Sequence, residues 1–417
     1  MDTQDPRQQR GLVIAATANI QQKGDVWVVP SQTKNGRYTV SRDGDGFQCS
    51  CPDFELRRSN CKHAWAVTFI LKREVTTTPD GETTVTETAA VRVTYSQDWP
   101  AYNAAQCAEK ELFLFLLRDL CSAVPEPARA AAGGRPSIPI RDALFSAAFK
   151  VYSGMSSRRF MTDLRDAAAK GYIGRAAHFN TTLNIIENPA IEPILHQLIT
   201  TSAAPLSAVE SQFAVDSTGF GTQQFYRHFT AKYGREETWR NYVKLHALVG
   251  TKTNVIASAT VTDRDRHDYT QFAPLLNDGA KTFTITEVSA DKAYIGRSNL
   301  AAVAAVGAEA FIPFKNPAYD DPKSPLWSKL YHLYHFRIDE FLPFYHRRSN
   351  AESTFSMMKR VFTDTLRSRG VEAQTNEVLL LVIAHNIRTL VHSIFELGVT
   401  VPGISVDGTR YTLRTNA

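Results

Sequence analysis

The chain has 417 residues, 43% of them hydrophobic, and 47 Lys and Arg against 42 Asp and Glu leave a net charge of +5. That length holds two or three domains, the composition excludes a disordered or low-complexity protein, and the charge is too mild to require or exclude nucleic acid. The polar start MDTQDPRQQR does not read as a signal peptide and no apolar run reads as membrane-spanning, so a cytoplasmic place and no membrane partner are expected.

The first predicted elements are the strands VWVVPS and RYTVSRD, followed by FQCSCPDFELRRSNCKHAWAV. There Cys49, Cys51, Cys61 and His63 form a Cys-x-Cys, nine residues, Cys-x-His pattern. Four soft or borderline ligands within fifteen residues suit a closed tetrahedral zinc site. Ligands two apart hardly face one metal from a helix, but they do from a turn, and Pro52 supports a turn after the first pair. A helix is predicted from near the second pair through Leu71. The alternatives are a disulfide or unligated thiols. Zinc fits better, because the remaining Cys107 and Cys121 lie in helical, apolar surroundings as core residues and no secretory signal is read. The module, placed at 10–75, resembles the SWIM zinc finger, which implies one structural Zn²⁺ and a role in binding DNA or protein. Its near-balanced charge argues against a simple electrostatic clamp. The Thr-rich stretch at 76–99 reads as a linker or as a hairpin around Pro79, Asp80 and Gly81, and its β-branched residues favour the hairpin.

Residues 100–205 read as helical. The apolar LFLFLLRDL is broken by PEPARAAAGGRPSIP, and two helical periods follow, separated by Gly154, Met155 and Ser156. Ser156 or Ser157 suits the N-cap of the second, which opens with Arg158 and Arg159. The pair reads as a helix-turn-helix that grips DNA or as an ordinary helical hairpin.

Further on, the apolar run Phe213 to Val215 ends at Asp216 in SQFAVDSTGF, which reads as a buried strand with a turn after the acid. Phe283 and Ile285 alternate with Thr before Asp291 in TFTITEVSADKAY, again strand-like, and a helical run Ser298–Val306 follows. Taken singly, each Asp is a turn former or helix cap. Two groups of acids compete with them: Asp263, Asp265 and Asp268, read as a hairpin end, and Asp320 with Asp321, read as a solvated loop. In FYHRRSNAESTFSMMK, Tyr345, Arg348, Glu352 and Lys359 stand at offsets 0, 3, 7 and 14. On one continuous helix they fall within an arc of roughly 60°. Phe344, Phe355, Met358 and Phe362 form an apolar stripe beside it. A solvated salt-bridged face is the plainer reading, but Glu352 sits between two cations, and the segment Lys323–Arg369 carries 9 Lys and Arg against 4 Asp and Glu. The final residues, 397–417, read as a short polar arm.

The Tyr, Arg, Glu, Lys spacing is similar to the YREK signature of DDE insertion-sequence transposases, and DST-G at Asp216 and ADK-Y at Asp291 match the same family. The resemblance runs nearly continuously from about Trp99 to Gly398. It implies a multidomain α/β protein: a ribonuclease-H-like catalytic domain with a mixed sheet at 206–396, preceded by a helical DNA-binding domain at 100–205 and the small zinc finger. It implies Asp216, Asp291 and Glu352 as catalytic carboxylates holding two Mg²⁺ or Mn²⁺, and Tyr345, Arg348, Lys359, Arg158 and Arg159 as residues close to DNA. The implied partners are transposon-end and target double-stranded DNA, with a homodimer or higher oligomer acting on them near a prokaryotic nucleoid. The alternatives are a ribonuclease-H-like nuclease without strand transfer and a retired transposase that only binds DNA or protein.

Overall fold

A computed structural model describes residues 6–18, 20–31, 36–44, 46–77, 83–89, 98–127, 137–222 and 242–413. The chain divides into two compact units, Met1–Gln97 and Asp98–Ala417.

In the first unit, helix α1 (Pro6–Thr17) precedes a four-stranded antiparallel meander of β1 (Gln21–Lys23), β2 (Val26–Pro30), β3 (Arg37–Asp43) and β4 (Gly46–Cys49). The strands alternate as a half-buried sheet should: Trp27 and Val29 of β2 point into a small core with Val40 of β3 and Phe47 of β4. Two helices follow, α2 (Pro52–Arg57) and α3 (Lys62–Ile70). Gly11 lets α1 lie close on α3, since a Cβ there would meet the Trp65 Cβ at 2.6 Å. The Thr-rich stretch forms a hairpin of β5 (Leu71–Thr77) and β6 (Thr83–Ala89), and its expected turn at Pro79–Gly81 lies outside the described residues.

The second unit opens with the helices α4 (Trp99–Ser122), α5 (Ile140–Ser153), α6 (Ser157–Ala169), α7 (Phe179–Ile186) and α8 (Glu192–Ala203). Asp98 caps α4 by accepting from Ala101 N at 3.1 Å. Gly154 ends α5 in the left-handed region (φ 62°), and Ser156 is the N-cap residue of α6, as expected. A mixed sheet follows, ordered β11-β10-β7-β8-β9: β7 (Gln212–Gly221), β8 (Tyr242–Gly250), β9 (Ile256–Thr262), β10 (Glu287–Ala290) and β11 (Glu309–Phe311). The first three form an antiparallel meander, while β10 and β11 join in parallel through helix α10 (Arg297–Ala305). Helix α9 (Phe272–Gly279) precedes β10. Then come α11 (Pro325–Phe336), α12 (Ile338–Tyr345), α13 (Ser349–Val361) and the long α14 (Val371–Glu396). One hydrophobic core runs from the helices of 100–205 into the sheet, so the two share a single unit.

Several local expectations are corrected. Strand β7 does not end at Asp216 but continues to Gly221, because residues 216–221 stay paired with β8. Phe283 and Ile285 are buried but precede β10, which starts at Glu287. Tyr345 to Lys359 is not one helix: the 3₁₀ turn His346–Arg348 separates α12 from α13. Residues 263–268 do not close a hairpin but lead from the edge strand β9 into the 3₁₀ turn Asp268–Gln271. Cys107 is exposed on α4, whereas Cys121 is in the core. Helix α14 is long and apolar enough to cross a membrane by length and composition, but 83% of that window is buried inside the protein, against α4, α5, α8 and β9. The chain end folds into a hairpin, β12 (Ile404–Asp407) with β13 (Arg410–Leu413), rather than a loose arm, and the Tyr411 hydroxyl reaches Glu111 on α4.

Candidate active site and metal centre

Strand pairing fixes Asp216 in the middle of β7, where Ser217 N donates to its Oδ1 at 2.9 Å. Asp291 follows β10, the parallel neighbour of β7, and caps the 3₁₀ turn Lys292–Tyr294 by accepting from Lys292 N. Glu352 lies in the first turn of α13, whose buried face of Ala351, Phe355 and Met358 anchors it to the core. The structure brings all three carboxylates to one open cleft of about 730 Å³, lined also by Thr218, Arg348, Lys359 and Arg360.

Arg348 ties two of the acids together. Its Nη1 donates to Asp216 Oδ2 at 3.0 Å and its Nη2 to Glu352 Oε1. Burial raises the pKa of Asp216; Ser217 N–H and Arg348 oppose that, and the charges of Glu352 and Asp291 add to it. Glu352 and Asp291 therefore both repel the charge on Asp216 across the cleft. Burial works against the charge on Arg348, yet Asp216 and Glu352 more than offset it, and its pKa is raised. Lys359 donates to Thr218 Oγ1 at 2.6 Å and lies 5.3 Å from the centre of the Phe220 ring; burial lowers its pKa. Tyr345 is outside this lining: its ring stacks on Phe341 at 5.6 Å and packs against the core, beside Arg348. Of the competing acids, Asp268 pairs with Lys244, Asp265 with Arg264 and Asp321 with Arg297, while Asp320 lies beside His332 and Asp263 accepts from Arg266 N.

Arg158 and Arg159 stand in the first turn of α6, outside the acid cleft, and Arg158 lies 5.1 Å from the centre of the Phe179 ring. They line a second groove with Lys150, Arg367 and Arg369. Thr218 and Arg360 were within reach of the sequence, being two residues from Asp216 and next to Lys359. Nothing in a helical pattern marked Lys150, whose place depends on contacts distant in the chain.

Three carboxylates facing one cleft are the oxygen donors a hard divalent cation takes, and their mutual repulsion is what a cation relieves. The residue types suit such an ion, but Asp216 Oδ2 and Glu352 Oε1 are the atoms the Arg348 guanidinium holds, so cation binding there competes with it.

In the first unit, Cys49 ends β4, Cys51 and Cys61 are the N-cap residues of α2 and α3, and His63 is in the first turn of α3. Their ligand atoms lie within 4.8 Å of one another and all four residues are buried. His63 Nδ1 is 3.9 Å from both Cys49 Sγ and Cys61 Sγ. Ligands bound to one tetrahedral zinc at ~2.3 Å stand roughly 3.7 Å apart, so the four fit a zinc ion with small adjustments. The Cys61 thiol is held well below the usual thiol range, first by the Cys49 thiol and then, against burial, by His63 and Ala64 N–H, which favours the thiolate that zinc takes.

Residues 207–387 match the family model of the transposase DDE domain, and residues 38–72 match the SWIM zinc finger. No curated protein matches the chain. Among solved structures it is similar to a piggyBac transposase, determined by cryo-electron microscopy as a synaptic complex with hairpin DNA. That likeness covers 79% of this chain and 82% of the other at 9% identity and a TM-score of 0.35, too loose to bear on function. The matched transposase DDE domain implies a divalent metal and the matched SWIM zinc finger implies zinc, for which the first unit holds a Cys₃His cluster.

Proposed function

We propose that this DNA transposase uses Asp216, Asp291 and Glu352 to cut at the ends of its element and to join the freed 3′-hydroxyl to target DNA. The observation that carries the reading is the meeting of these three acids, from the middle of β7, the end of β10 and the start of α13, in one open cleft within the DDE segment. Two bound Mg²⁺ or Mn²⁺ ions would activate the attacking oxygen and stabilise the leaving one in an in-line displacement. The protein's own groups do the rest. The three acids would hold the ions, with Asp216 fixed by Ser217 N–H. Arg348, once it releases Asp216 and Glu352, offers a planar fork to a phosphate. Lys359, held by Thr218, places a point charge beside the backbone. Tyr345, packed on Phe341, steadies the turn that carries Arg348. Two ends must be cut together, so the active species is at least a homodimer on DNA.

Asp216→Asn, Asp291→Asn and Glu352→Gln are each expected to abolish cleavage of a plasmid carrying the sequences that flank the coding region, with duplex binding retained. Cleavage by any of the three at near wild-type rate would overturn the assignment. Joining of pre-cut ends to a supercoiled target separates a transposase from a nuclease, which cuts without joining.

A further inference from the structure

The groove on the helical side of the second unit, about 950 Å³, is lined by five cations, Lys150, Arg158, Arg159, Arg367 and Arg369, against two carboxylates, Glu187 and Glu377. Lys150 is the anomaly. It is only 7% exposed, and among the described residues its ammonium makes no hydrogen bond or ion pair. A largely enclosed ammonium is normally paired at close range. The carboxylate whose charge reaches it, Glu377, is already engaged: it accepts from Arg367 N at 3.1 Å and from Ser368 N at 2.8 Å. Gln374 Nε2 holds Ser368 O at 3.2 Å, so the segment carrying Arg367 and Arg369 is fixed from α14. The groove is therefore a cationic setting in which the Lys150 ammonium is opposed only at longer range by Glu377.

It also connects to the acid cleft. Gly221, the last residue of β7, donates to Asp364 O at 2.9 Å and accepts from Leu366 N at 2.7 Å. Arg360 and Asp364 line the acid cleft, and Arg367 and Arg369 line the groove, so a single short segment borders both.

We propose that this groove seats the phosphate backbone of the DNA duplex whose scissile strand lies in the acid cleft, with Lys150 binding a phosphate in its buried setting and Arg367 and Arg369 flanking it. The inference rests on the transposase reading and deepens it by naming where the duplex is held.

The test uses the full chain and a fluorescein-labelled random-sequence duplex, followed by anisotropy across a salt series. Lys150→Met and the double variant Arg367→Ala with Arg369→Ala should each bind roughly tenfold more weakly, and the slope of log affinity against log salt should flatten by about 0.9 for each phosphate that the variant leaves unneutralised. Unchanged affinity and slope in either variant would overturn the proposal. The two readings fail differently. If wild-type protein and Asp216→Asn both fail to bind the duplex, the transposase reading falls; if wild type binds and cuts and the groove variants match it, only the groove assignment does.

Discussion

A single guanidinium decides the state of the acid cleft. Glu352 and Asp291 both repel Asp216, and Arg348 lies between Asp216 and Glu352 with one nitrogen on each. It does what a cation would do there, using the same oxygens. A unit charge about 4 Å away at an effective dielectric near 20 is worth ~4 kcal/mol. Glu352 is 58% exposed, so solvent screening leaves roughly 1–2 kcal/mol of competition against an incoming metal. Arg348→Gln is therefore expected to tighten Mn²⁺ binding to the DNA-free protein by about tenfold, read by electron paramagnetic resonance, while lowering DNA cleavage through loss of the phosphate grip. If Mn²⁺ binds the variant no more tightly, Arg348 does not compete for the carboxylates. Half of this device was legible in the sequence. Arg348 and Glu352 are four apart, one helical turn, and their pairing follows from spacing. The bond to Asp216 spans 132 residues and depends on where α13 lands on the sheet.

In the second unit the secondary-structure elements close an edge of the sheet behind the cleft, and the first unit carries its own cluster of metal-ligand residues. Strand β9 is an edge, and its free backbone groups would invite pairing. Asn386 of α14 answers this: Ile256 N donates to its Oδ1, and its Nδ2 donates to Ile256 O, both at 2.9 Å. Asn386→Ala strands two buried backbone groups, so chemical denaturation should show a loss of about 2–4 kcal/mol. A loss under about 0.5 kcal/mol would mean that water or a shifted helix replaces the amide. In the finger, three thiols and one imidazole stand close in a core of few large side chains. A core that small needs a staple. Strong chelation should melt the far-UV signature of the first unit and raise the count of reactive thiols by three; thiols that stay protected after chelation would show that packing alone holds the fold. The zinc ligands were legible because their spacing is local. The interruption of the helix at His346–Arg348 was not, since no Gly marks it and Pro343 lies upstream of it. Strand β7 likewise hid its length, because its polar second half is held by pairing with β8 rather than by apolar pattern.

For the whole molecule, what the sequence conveyed was the order of its chemistry: zinc ligands, helices, then Asp, Asp and Glu. What it withheld was burial of polar groups, because that follows from packing between distant segments. Lys150 is one case, and two histidines are another. His246 on β8 and His385 on α14 are buried, and burial pulls each from 6.5 down to about 4; Asp268 opposes this at His246 and the Asn254 carbonyl at His385. A folded pKa below the unfolded one means that the unfolded chain binds more protons between those values. Stability from keeping these rings neutral is thus complete above about pH 6.5 and is lost as pH falls through about 4. Each histidine contributes at most about 1.4 kcal/mol per pH unit within that window. Urea unfolding at steps between about pH 7 and 4.5 should show a falling free energy. His385→Gln keeps a donor for the Asn254 carbonyl, which His385 Nε2 meets at 2.8 Å, and removes one titrating site. The variant should flatten the decline by about one proton's worth, and His246→Gln by another. Carboxylates that titrate lower, in the same acid range, remain in both variants, so the difference between the curves isolates the imidazoles. Parallel curves for wild type and both variants would place the acid sensitivity of the protein elsewhere than in these two rings.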